Sequence, residues 1–263
     1  MTKKNPQRSI TVQNTGPVIV FGTGGSGTRA VAAFLSACGI EMGSQVNPSW
    51  DARLFGPLLR DYIGKVIAAT RCLDYDPWQI DPLVRTAVVD GYLHAAEAHR
   101  RGMGTPRRWG FKEPRNIFLL PLVNMAFPDA KFVHVLRDGR DMLLSRNRNQ
   151  PSKHFESLFG RPFDHTDGAI AQFWAKSNLE AYHYGTQFLG RRYVIIRIED
   201  ACEEGRKDIL LQFATMLDID YDVAERCSEV FHAQETFGRG SDYSGRQRLP
   251  AEFEAALGTF HYG

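Results

Sequence analysis

A chain of 263 residues with 43% hydrophobic and 24% charged side chains is globular in composition and long enough for one large α/β domain or two small ones. Its formal charge of +2 is too small to mark a nucleic-acid binder, so no nucleic-acid partner is expected and any anion site must come from local clustering. No apolar run reaches membrane-spanning length. Cys38, Cys72, Cys202 and Cys227 lie far apart with neither C-x-x-C nor metal-ligand spacing, so no metal is expected and a cytoplasmic location is the default.

Residues 1–16 are polar and read as a flexible tail before a domain spanning 17–263. Val18 to Phe21 are apolar and mostly β-branched, a buried strand. Gly22-Thr23-Gly24-Gly25-Ser26-Gly27-Thr28 follows, and then Arg29 to Cys38 with Ala30, Val31, Phe34 and Leu35 at helical spacing. Strand, glycine loop and helix make a phosphate cradle: glycines let the backbone approach an anion, and unpaired N–H groups at the helix start face it. Ile40 to Trp50 reads as loop. Asp51 to Ala69 reads as helix, with Asp51 a candidate N-cap. Arg71 to Pro82 is a turn-rich connector, and Pro82 to Arg101 a second helix.

Arg107 to Lys112 reads as a strand entering Glu113-Pro114-Arg115. Asn116 to Ala126 is helical, and Lys131 to Leu136 is a strand ending in Arg137-Asp138-Gly139-Arg140-Asp141, with helix from Met142. Asn149 to Asp167, rich in Phe, Pro and His, reads as irregular. Gly168 to Phe188 is a long helix, Arg192 to Ile198 a strand, and Arg206 to Leu217 a helix. Phe237 to Pro250 is a tail rich in Gly, Ser and Arg. Alternating strands and helices predict an α/β fold with a central, mostly parallel sheet flanked by helices. The glycine loop and Arg137 both follow strand ends, which places them on one edge of that sheet.

Three readings fit the loop. As G-x-G-x-x-G it needs an acidic residue ending a second strand about twenty residues on, and Asp51 instead opens a helix. As a nucleoside-triphosphate P-loop it has Thr28 in the lysine position, with Arg29 next. The third reading joins the loop to more distant motifs. Arg137 ends a strand, and Ser145 lies eight residues on. Trp109-Gly110-Phe111-Lys112-Glu113-Pro114-Arg115 and Ile196-Arg197-Ile198-Glu199-Asp200 follow in order with it. In these four motifs the chain resembles the sulfotransferases that use 3′-phosphoadenosine 5′-phosphosulfate (PAPS), most nearly their bacterial and carbohydrate-type branch, over roughly residues 18–217.

That resemblance implies a three-layer P-loop-like fold and sulfuryl transfer to an acceptor hydroxyl or amine, with adenosine 3′,5′-bisphosphate as product and no metal. It implies that Gly24, Gly25, Ser26, Gly27, Thr28 and Arg29 hold the 5′-phosphosulfate. Arg137 and Ser145 would hold the 3′-phosphate. Arg239-Gly240, or Arg246 and Arg248, would close over it. The chain departs from the family at Gly25, where a lysine or arginine is usual, and at Ile198, where tyrosine is usual. Arg29 or Lys112 is then the cation for the leaving group, and Asp51 or Glu113 the general base. His134 reads as a structural histidine within its strand, whereas His154 and His165 could face acceptor. Residues 45–105 and 149–167 are expected to shape the pocket for a small-molecule, lipid or carbohydrate acceptor. A kinase-like phosphotransferase using ATP and magnesium, and a non-catalytic nucleotide-binding protein, remain alternatives. Oligomeric state is not legible.

Overall fold

The computed structural model describes residues 16–104, 108–203, 207–232, 237–240 and 248–262. The expected tail over 1–16 therefore lies outside the described residues except for Gly16, as does Arg246. Four strands form one parallel sheet in the order β2-β1-β3-β4: β1 Val18–Gly22, β2 Gly110–Lys112, β3 Lys131–Leu136 and β4 Tyr193–Arg197. In register, Val18 faces Gly110 on one side of β1 and Lys131 on the other, and Phe132 faces Tyr193. The chain leaves β1 for one neighbour and returns to β3 on the other side. This reversal opens a crevice beyond the carboxyl ends of the strands, where α/β sheets bind ligands.

Eleven α-helices are described: α1 Thr28–Ala37, α2 Gly56–Thr70, α3 Pro82–Arg101, α4 Leu120–Ala126, α5 Gly139–Leu143, α6 Asn149–Phe159, α7 Asp167–Tyr184, α8 Ile198–Cys202, α9 Lys207–Leu217, α10 Tyr221–Cys227 and α11 Ala251–Thr259. Alternation along β1 divides the core into two layers. Ile19 and Phe21 pack on one face with Leu59, Ile63, Tyr92 and Phe173 from α2, α3 and α7. Val18 and Val20 pack on the other with Val31, Leu35 and Phe213 from α1 and α9. A third cluster joins Leu136 and Met142 to Trp174 on α7 and Phe253 on α11. This is the expected α/β, three-layer P-loop-like fold.

Most elements fall where the sequence places them; α3 and β3 have the predicted limits. Asp81 caps α3 by accepting from the N–H groups of Leu83 (2.9 Å) and Val84 (3.1 Å), and His99, Arg100 and Arg101 complement the dipole in its last turn. Three expectations need correction. The irregular reading of 149–167 gives way to α6 over its first eleven residues. Gln150, Pro151, His154, Phe155 and Leu158 are its buried face, an amphipathic pattern that the Phe, Pro and His content obscured. Pro151 falls in the first turn, where its missing N–H is not needed. α5 starts at Gly139 and stops at Leu143, so the helix expected from Met142 ends almost at once and Ser145 lies beyond it. Asp51 is not a helix cap: Arg53–Phe55 form a 3-10 turn with Ala52 in the capping position, and α2 starts at Gly56.

Candidate active site

The carboxyl edge of the sheet opens into a cavity of about 540 Å³, within the usual range for ligand sites. A second cavity of about 480 Å³ lies elsewhere, lined by Gly16, Pro17, Trp109 and Phe127, and brings together none of the expected site residues. Into the first cavity β1 delivers Gly24, Gly25, Gly27, Thr28 and Arg29. β2 delivers Lys112 and Glu113, and β3 delivers Arg137.

The loop is built from backbone. Gly25 (φ 94°) and Gly27 (φ 91°) both take the left-handed conformation that side chains resist. A Cβ on Gly27 would also stand 2.4 Å from Cγ1 of Ile198. The glycine at 25, where the family usually has a cation, therefore matches the local backbone. Gly27 precedes α1 without any side-chain cap. Ala30 and Val31 donate to the Gly27 carbonyl at 2.9 and 3.4 Å, while the N–H groups of Gly27, Thr28 and Arg29 find no acceptor among the described residues. The hydroxyls of Thr23 and Ser26 are buried without a partner there too. Orphaned donors around a left-handed glycine turn at a helix start form an anion cradle.

At the end of β2, two ion pairs stand side by side. Lys112, 3% exposed, donates to the Ser49 carbonyl at 2.8 Å and to the carboxylate of Asp51. Asp51 also accepts from Asn47 Nδ2 at 2.7 Å and keeps 28% of its side chain exposed on the cavity. Glu113, 2% exposed, caps the turn after β2. Both its oxygens are taken by Arg115, through Nε at 2.9 Å and Nη2 at 3.0 Å. Arg29 is exposed on the cavity wall with no ion pair among the described residues.

At the end of β3, Arg137 donates through Nη2 to Asp141 at 3.2 Å and lies over the Phe237 ring at 5.0 Å. The fully buried Asp141 carboxylate also accepts from the N–H groups of Gly238 (3.0 Å) and Gly240 (2.8 Å). Arg239-Gly240 is thus fastened beside Arg137, although neither residue lines the cavity. Asp138 caps α5 and pairs with Arg140 at 2.7 Å. Ser145 accepts from the Asn147 N–H at 3.1 Å and does not line the cavity.

Neither His154 nor His165 reaches the cavity. His154 is buried under α6 with neither ring nitrogen bonded among the described residues, and burial, then the charges of Arg115 and Lys153, push it down to about 4. His165 is exposed in a left-handed turn. His134 is structural: it bonds Tyr193 at 2.8 Å and Asn178 at 3.1 Å, stacks on Phe21, and is pushed by burial down to about 4. Glu199 receives the Asp138 N–H and the Tyr262 hydroxyl, which also makes it structural. Arg248 is exposed and away from the cavity. Asn147, Asn149, Gln150 and Lys153 line the cavity; none was singled out by number, although the last three lie in the 149–167 segment expected to shape the pocket. The helical period of α6 was the signal that could have found the last three. His232 and Phe237 also line it, and nothing in their local sequence marks them.

The model of the sulfotransferase family matches residues 17–207, well over half of the chain, and the protein belongs to that family. Among solved structures it is similar to the sulfotransferase domain of the Synechococcus PCC 7002 olefin synthase, with 14% identity over 100% of this chain and 99% of that one and a TM-score of 0.58. It is also similar to the sulfotransferase domain from the curacin biosynthetic pathway, with 13% identity over 95% and 99% of the two chains and a TM-score of 0.56. No curated protein matches in sequence. The chain is a sulfotransferase, an enzyme of sulfuryl transfer for which PAPS is the family's standard donor, and the kinase reading falls away. No described helix is long and apolar enough to cross a membrane.

Proposed function

We propose that this chain takes PAPS as its donor and transfers the sulfuryl group to a hydroxyl or amine of a polar small molecule or carbohydrate. One observation carries the reading: a single cavity is lined both by a backbone cradle and by an arginine bonded to a buried carboxylate. A donor with a phosphosulfate and a separate 3′-phosphate needs two such sites. Gly24 to Arg29 would hold the first group and Arg137 the second, with Arg239-Gly240 closing beside it. Ser145 is retained as a 3′-phosphate contact on the resemblance alone. The polar wall of Asn147, Asn149 and Lys153 supports a hydroxylated acceptor over a lipid.

The bound donor supplies the sulfuryl group, which passes to the acceptor as its bond to the phosphate oxygen breaks. Asp51 is assigned as the base that takes the acceptor proton, because it faces the cavity while both Glu113 oxygens are held by Arg115. Glu113 is assigned a positioning role through Arg115. A proton arriving on Asp51 cancels the charge that holds Lys112, which frees the ammonium to stabilise the leaving oxygen, with Arg29 as second cation. These cations supply the charge for which a kinase uses magnesium. We assign 17–263 to one sulfotransferase domain, with 45–105 contributing Ser49 and Asp51 to the acceptor side. A cytoplasmic location is proposed from the wide spacing of the four cysteines along the sequence.

Calorimetric titration tests the reading. Adenosine 3′,5′-bisphosphate should bind without magnesium, and Arg137→Ala should weaken it by roughly 10- to 100-fold, the worth of one charged hydrogen-bonded contact. A folded wild-type protein that ignores this ligand while binding ATP with magnesium would overturn it.

A further inference from the structure

Gln150, in the first turn of α6, reaches the glycine loop from 126 residues away. Its Oε1 accepts the Gly24 N–H at 2.8 Å. It is 8% exposed and lines the cavity. Its Cδ lies 3.4 Å from where a Cβ on Gly24 would sit, so loop and amide are in close contact. The partner fixes which way the amide faces: a backbone N–H needs an acceptor, so oxygen is on Gly24 and the NH2 group is on the other branch. That NH2 has two donors, and no described residue accepts from either.

A nearly buried amide with unused donors, on the wall of an anion cavity, is suited to an anionic ligand. The loop itself has no side-chain donor or cation at Gly25, so this wall must come from another element. We propose that Gln150 is a donor-binding residue: Oε1 fixes Gly24, and Nε2 donates to an oxygen of the donor's 5′-phosphate, which the bisphosphate product keeps. The inference rests on the reading that the phosphosulfate lies in the glycine loop. α6 thereby forms one side of the donor site as well as the acceptor wall.

Gln150→Glu separates this from a role as a mere strap for the loop. Glutamate keeps the acceptor for Gly24 and nearly the same shape, but replaces the NH2 donors with an anionic oxygen. Gln150→Leu removes both functions. Asn149→Asp, on the same turn and the same cavity, measures what a nearby negative charge does without the contact.

Calorimetry with adenosine 3′,5′-bisphosphate and the KM for PAPS should show Gln150→Glu weakened by about 10- to 100-fold. That loss should exceed the loss in Gln150→Leu and in Asn149→Asp. Thermal melts confirm that each variant is folded. In the unmutated protein, the Gln150 side-chain NH2 resonances should shift when adenosine 3′,5′-bisphosphate is added, a readout that needs no variant to fold. Gln150→Glu binding like wild type, or no more weakly than Asn149→Asp, overturns the inference and leaves the donor reading standing. Failure of the wild-type protein to bind adenosine 3′,5′-bisphosphate at all overturns both.

Discussion

On the proposed donor reading, the cavity would recognise negative charge by two different means, one at the glycine loop and one at Arg137. At the glycine loop the donors are backbone N–H groups, and what makes them available is the absence of side chains at Gly25 and Gly27. At Arg137 the donor is a side chain, held by a buried carboxylate and an aromatic face. The first end is vulnerable to added atoms and the second to removed ones. A loop of this kind has few ways to vary, whereas the arginine end depends on contacts from α5 and the 237–240 segment.

The sharpest way to break this contrast is Gly27→Ala. A left-handed alanine and a clash with Ile198 should together cost about 2–5 kcal/mol of stability and weaken adenosine 3′,5′-bisphosphate at least 100-fold. Melting curves and calorimetry would show it. A variant that binds normally would mean that the loop backbone does not form the site.

Acid should weaken the elements that support the cavity. His134 stacks on Phe21, which leads into the loop, and His154 shares α6 with Gln150. Burial pushes both down to about 4, below the ordinary 6.5. Between those values the unfolded chain takes up protons that the folded histidines refuse, so stability is full above pH 6.5 and falls as pH drops toward 4. The loss should be on the order of a few kcal/mol. Melts from pH 7 to 4.5 would trace it, and His154→Leu should flatten part of the slope, the rest belonging to His134 and to His99, which burial also pushes down.

The smallest effect is expected from Gly25→Lys, which restores the family's usual cation. The left-handed backbone at this position costs a side chain about 1–2 kcal/mol. Tm should drop by about 2–6 °C, and the rate of PAPS transfer should not rise. A faster variant would show that Arg29 and Lys112 do not supply enough charge.

Much of this was legible in the sequence, for physical reasons that can be traced. Short β-branched runs marked the strands, and α3 could be read with its observed limits, Pro82 to Arg101. The glycine loop and Arg137 could be set on one edge because both follow strands. What could not be read was pairing across the chain. Lys112 and Asp51 are 61 residues apart, and only the fold shows that they bond while Glu113 turns to Arg115. α6 was missed because a proline and several aromatics suggested loop, although buried positions at 150, 151, 154, 155 and 158 keep helical period. Gln150 was hidden for both reasons: its helix was not recognised, and its partner is on β1's loop.

One carboxylate joins Arg137 to the 237–240 segment, and reciprocity follows. Asp141 serves the guanidinium and the Gly238 and Gly240 N–H groups together. Whatever draws Arg137 away from Asp141 must change the hold on the 237–240 segment by the same free energy that fastening the segment contributes to Arg137. Product release and loosening of the segment would then be two sides of one equilibrium, with Asp141 as the coupling element.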